Sequence, residues 1–241
     1  MRRRELSPLA QLYLVSVAGL AVIAALVLWR AGQQSGSPIA LLLVAAAGGI
    51  SHAFPLEGRN HEAYHATLPF VIVAAALFTT PELAIFIVMI HLAEQLRAHR
   101  RWYIQVFNTT GYFLAAALAG VMYRVAMHQV GTPMIGPLEA ALTAGCTFVI
   151  VNRVLVAGVL WLARGLSPAR SGLFRPELLA VDLIIIWVSG PMLALIATVG
   201  PAAVLVSAGP LFLARPALTY LLEAGTPGRR RALARVRRSD A

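Results

Sequence analysis

RAHRRWYIQVFNTTGYFLAAALAGVMY, residues 97–123, decides the class of this chain. Three arginines in five residues lead through Trp102 and Tyr103 into a long apolar run that carries Asn108 in its first turns. Short loops rich in arginine mark the cytoplasmic side of a membrane protein, and a long apolar helix crosses the membrane. The stretch therefore supplies both a span and its orientation.

The rest of the 241 residues agrees with that reading. The chain is 59% hydrophobic and 12% charged, against the ~25% charge of a soluble domain. Several apolar runs reach the ~20 residues that a crossing helix needs. This leaves no room for a soluble catalytic domain. The net charge is +10 and every basic residue is arginine. In a soluble protein that balance suggests nucleic acid, but these arginines fall in short loops and at the termini, where they set topology. No nucleic-acid partner is expected; the first partner is the lipid bilayer. Cys146 is the only cysteine, so neither a disulfide framework nor a thiolate metal cluster is available. The apolar part of MRRRELSPLAQLYLVSVAGLAVIAALVLWR is too long for a signal peptide and reads as a retained first span.

The fold class is all-α, a polytopic integral membrane helical bundle of about eight transmembrane helices. The spans are placed at 10–29, 39–54, 66–78, 80–96, 104–127, 137–163, 178–199 and 202–222. Residues 1–9 are a cytoplasmic N-terminus, 10–222 the membrane domain and 223–241 a basic cytoplasmic tail. The third span has too few apolar residues for a full crossing and is either short or re-entrant. Thr80-Pro81-Glu82 restarts the pattern after it, with Thr80 as N-cap and Pro81 at the first helical position. With the N-terminus inside, cytoplasmic segments hold sixteen arginines and external loops only Arg30 and Arg124. Both termini are therefore placed in the cytoplasm of a bacterium, on the inner membrane. FTTPELAIFIVM (78–89) and ATVGPAAVLVSA (197–208) both break at proline near the end of a four-span half, which suggests a 4+4 repeat.

Polar groups within spans are costly, so each needs a reason. Arg153, beside Asn152, lies near the centre of the sixth span, and Asp182 about one and a half turns into the seventh. Helical rise sets Asp182 within reach of a snorkelling guanidinium, giving an Arg153–Asp182 pair. The pair either locks two helices or forms part of a ligand site. Asn108 and Tyr112 share a face of the fifth span. Gly111, Ala115 and Ala119 continue a small-residue ridge suited to helix packing or homo-oligomerisation. His61-Glu62-Ala63-Tyr64-His65 has the form H-E-x-x-H, in which two histidines one turn apart hold zinc and the glutamate polarises water. Arg59 and the lack of a third-ligand motif weigh against catalysis there. His52, His61, His65, His91, Glu94, Asn108 and Asp182 all map to the cytoplasmic half, with His91 and Glu94 on one helix face. Together they outline a pocket for a metal, an anion or a proton. Helix ends being wetter than helix middles explains the same bias more simply. The tail RRRALARVRR, 229–238, would lie on anionic lipid or dock a partner.

WYIQVFNTTGYFL (102–114), VNRVLVAGVLWLARG (151–165) and PLFLARPAL (210–218) carry a family resemblance. Over about residues 40–222 the chain resembles the multi-pass N-terminal membrane region of bacterial HD-GYP and GGDEF signalling proteins. That resemblance implies a sensor which passes its signal to a cytoplasmic cyclic-di-nucleotide enzyme. The chain itself has no G-Y-P and no G-G-D-E-F. The expectation is a stand-alone membrane sensor or interaction module, not an enzyme, with a cytoplasmic signalling partner and no cofactor. A small-solute transporter built on Arg153 and Asp182 is the alternative. A zinc metalloenzyme built on His61, Glu62 and His65 comes third.

Overall fold

The computed structural model describes the backbone of residues 6–30, 37–54, 56–57, 63–64, 66–129 and 135–224. Among these the chain forms nine helices: α1 (Pro8–Arg30), α2 (Pro38–Ala53), α3 (Leu68–Leu77), α4 (Thr80–Ala98), α5 (Trp102–Gln129), α6 (Gly136–Arg164), α7 (Pro176–Trp187), α8 (Ser189–Val199) and α9 (Ala203–Ala224). Between α2 and α3, β1 (Leu56–Glu57) pairs antiparallel with β2 (Ala63–Tyr64), Leu56 opposite Tyr64. Proline recurs in the first turn, where a missing N–H costs nothing, as at Pro38, Pro69, Pro81, Pro137 and Pro176. The cap of α4 lies one residue earlier than Thr80. Thr79 accepts from the Glu82 N–H, and the Glu82 carboxylate accepts from the Thr79 N–H. A reciprocal box of this kind needs its acid at the third helical position, which puts the cap at 79.

Four stretches are long and apolar enough to cross a membrane: Pro8–Arg30, Trp102–Gln129, Gly136–Arg164 and Pro176–Val199. The last is α7 and α8 together, broken at Val188 just before Pro191 instead of running as one helix. The outer surface suits lipid. Of α1 only Ala10, Val17 and Ala21 are buried, while Leu12, Val15, Val22, Ile23, Leu26 and Val27 are more than half exposed. A patch of that extent marks a surface made for an apolar environment. This is a membrane protein.

At its centre stands α3. Every residue from Leu68 to Ala75 is buried, and Phe70 to Ala74 have no exposure at all. Helices α2 and α4 to α8 surround it. A helix apolar on all sides belongs in an interior. Its ten residues reach ~15 Å, about half of the hydrocarbon core. Glycine permits the closest approach: a Cβ on Gly120 of α5 would lie 2.5 Å from the Ala75 carbonyl oxygen.

Three contacts align the helix ends. Arg97 Nη1 donates to the Ala53 carbonyl at 2.6 Å, so α2 and α4 finish side by side. The Ser7 hydroxyl donates to the Leu162 carbonyl, so α1 starts where α6 ends. Gly111, early in α5, meets Leu155, late in α6, so these two run antiparallel. One end of the bundle thus gathers Arg97, Arg100, Arg101, Arg164, Arg170 and Arg175, and the other holds Arg30 and Arg124 among the described residues. The ridge of Gly111, Ala115 and Ala119 is buried within the chain, so its own helices cover it.

Candidate polar centre at the basic end

Small residues bring the site together. In α2, AAAGG (45–49) lets the helix sit close on α4: a Cβ on Gly48 would meet the Phe86 ring at 3.0 Å, and one on Gly49 would meet Ala93 at 3.6 Å. One turn further on, His52 comes against His91 and Glu94. Their exposures are 1%, 2% and 4%. His52 Nε2 lies 3.2 Å from His91 Nδ1 and 3.4 Å from Glu94 Oε2, while His91 Nδ1 lies 3.5 Å from the same oxygen. On its other side, His52 Nδ1 is 3.2 Å from the hydroxyl of buried Thr67, immediately before α3.

The turn between α4 and α5 closes the site. His99 takes a left-handed conformation (φ 46°) and caps α4 through its N–H to the Gln95 carbonyl. This returns Arg100 towards Glu94, where Arg100 Nε donates to Oε1 at 2.7 Å. Gln95 Nε2 donates to the Arg100 carbonyl at 2.9 Å, and Gln105 Nε2 donates to the His91 carbonyl. Tyr112 packs edge-on against both imidazoles, with ring centroids 5.4 Å from His52 and 4.9 Å from His91. Buried polar atoms without a hydrogen-bond partner concentrate here: His91 Nε2, Glu94 Oε2, Gln95 Oε1 and Gln105 Oε1. Such atoms are costly to leave unpaired, so each calls for a partner such as an ordered water, an ion or a ligand.

Nearby, Arg153 and Asp182 pair as the helical rise implies. Arg153 Nε donates to Asp182 Oδ2 at 3.1 Å and Nη2 donates to the same oxygen. Tyr112, on the imidazoles, also packs edge-on against Phe148 of α6, the helix that carries Arg153, with ring centroids 5.2 Å apart. Asn108 and Asn152 are half-buried and belong to neither group. His61, Glu62 and His65 lie outside the described residues.

Of the sequence candidates, then, the fold joins His52 to His91 and Glu94, and Arg153 to Asp182. It adds Thr67, Gln95, Arg100 and Gln105. Arg100 carried a signal only as topogenic charge; Thr67 and the two glutamines carried none. His52, His91 and Glu94 offer one donor atom each, all within 4.8 Å of one another, a set able to hold a metal ion. Comparison of the chain with family models, curated proteins and solved structures gives no match.

Proposed function

We propose that the protein is a non-catalytic sensing module of the bacterial inner membrane, with eight crossings, both termini cytoplasmic and its receptive site at the polar centre. The short helices α2 and α3, the less apolar α4, and α9 complete the crossings in this reading, with α3 and α4 as a broken pair. The six described arginines at one end support placing that end in the cytoplasm. The likeness to the membrane regions of HD-GYP and GGDEF proteins supports a signalling role and a cytoplasmic partner docked on that basic end.

The observation that carries the reading is the one-sidedness of the buried polarity. His52, Thr67, His91, Glu94 and the Arg153–Asp182 pair all belong to the basic half. Buried polar residues of the opposite half are hydroxyls, Thr80 and Ser189, among the described residues. A carrier needs a polar route open in turn to both sides, whereas a receptor needs one entrance. Transport of a small solute is the second reading, favoured by the intramembrane charges Arg153 and Asp182.

Proteoliposomes separate the two. Sensing expects no flux of Zn²⁺, inorganic phosphate or protons above that of protein-free vesicles. A flux of any of these that disappears in Arg153→Ala would replace sensing by transport.

A further inference from the structure

We propose that His52, His91 and Glu94 are the ligands of a tetrahedral divalent transition-metal ion with the coordination habits of zinc, entering from the basic end. The proposal rests on the polar centre being the receptive site.

The size of the donor triangle is the first argument. Its sides are 3.2, 3.4 and 3.5 Å. Donors ~2.0–2.1 Å from a tetrahedral zinc stand ~3.3–3.4 Å apart, the edge of the tetrahedron. An ion at that bond length from all three atoms sits ~0.7 Å above their plane, as one face of a tetrahedron requires.

The two sides that end at Glu94, 3.4 and 3.5 Å, are too long for strong hydrogen bonds. A charge-assisted N–H to carboxylate bond measures ~2.7–2.9 Å. Glu94 makes one of these, but with its other oxygen: Oε1 takes Arg100 at 2.7 Å. Oε2 is buried and faces the two imidazoles, with their nitrogens at 3.4 and 3.5 Å. The carboxylate is divided between an orienting partner and an oxygen turned towards the two histidines.

Two of the three ligands, His52 and Glu94, have outer partners that hold them in place. A ligating imidazole commonly donates its second N–H to a neighbour, which fixes the tautomer and the ring plane. With Thr67 accepting from His52 Nδ1, the lone pair of Nε2 points into the triangle. Arg97 to the Ala53 carbonyl and Gln105 to the His91 carbonyl hold the backbones that carry the two histidines.

The donor set selects the ion. Two imidazoles and one carboxylate suit zinc and its neighbours, while calcium and magnesium demand more oxygens. The Glu94 carboxylate at the centre disfavours an anion. Three protein ligands leave the fourth position for water or an exchanging group, unlike the closed four-ligand structural sites.

The test uses the full chain purified in detergent, with Zn²⁺ titrated by calorimetry and Co²⁺ followed by its visible spectrum. The expected result is one Zn²⁺ per chain and the intense absorption of four-coordinate Co²⁺. His91→Gln and Glu94→Gln, each confirmed as folded by a monodisperse elution profile, lose both. Thr67→Val binds ~10–100-fold more weakly, the range for lost outer partners. His61→Ala/His65→Ala binds as the wild type does. Absence of Zn²⁺ and Co²⁺ binding overturns the proposal. So does binding that survives in folded His91→Gln and Glu94→Gln, or that is lost with His61 and His65. Should His91→Gln fail to fold, the Co²⁺ spectrum of Glu94→Gln decides. Zinc bound and also transported would keep the site and discard sensing. No zinc bound and no flux would keep sensing and discard the metal.

Discussion

Exchanging Arg153 for methionine leaves the Asp182 carboxylate in the interior without the one cation paired with it among the described residues. Both nitrogen contacts go to the one oxygen, Oδ2, and the side chains are 9% and 17% exposed, so water screens them little. Breaking one partner of a buried pair costs ~3–5 kcal/mol, because the remaining charge is stranded. Asp182→Leu falls at the lower end of that range, since a freed guanidinium can snorkel towards the basic end. The double variant Arg153→Met/Asp182→Leu strands nothing, and its stability returns to within ~1 kcal/mol of wild type, as for apolar replacements of buried pairs elsewhere. Unfolding by SDS titration in mixed micelles, followed by tryptophan fluorescence, measures all four corners of the cycle. If the two single losses simply add in the double variant, the pair is not a coupled unit and the reasoning fails.

Gly120→Ala drives a methyl to 2.5 Å from the Ala75 carbonyl and is expected to cost ~1–3 kcal/mol as an overpacked contact. Gly111→Ala meets only Leu155 Cδ1 at 3.7 Å and gains up to ~1 kcal/mol from helix propensity; the same SDS titration compares the two. Thr79→Ala removes the α4 cap and loses ~1 kcal/mol in that assay, whereas Thr80→Ala, outside the box, loses less. On a Cys146→Ser background, an impermeant maleimide should label Ala169→Cys only in inverted vesicles and Gln129→Cys only in right-side-out ones; the reverse pattern would invert the proposed orientation.

Helix positions were readable because apolar runs, prolines and the Thr-Pro-Glu restart are local signals. Arg153 and Asp182 were readable too, as rise per residue fixes their depths once the spans are placed. The contact of His52 with His91 was not. It joins residues 39 apart through the parallel packing of α2 on α4, and the only trace in the sequence is the small-residue patch around Gly48 and Gly49. H-E-x-x-H drew the zinc reading to 61–65 because that pattern is contiguous. The donor triangle needs two helices and a left-handed turn at His99, and no string of residues spells that. The break at Val188 escaped for another reason: its flanks are apolar on both sides, so the run looks continuous.

The burial of α3 also sets an order of assembly. Of the helices around it, α4, α5, α6, α7 and α8 are all synthesised later. When residues 68–77 leave the ribosome, most of their walls do not yet exist. At half the thickness of the bilayer, α3 cannot serve as a stop-transfer segment on its own account. It must be carried with α4 and enclosed as the later helices arrive. A chain ending after α4 would therefore display an apolar half-helix covered by α2 and α4 alone, a ready mark for membrane proteases, and the stability of the N-terminal half in cells depends on the C-terminal half being made.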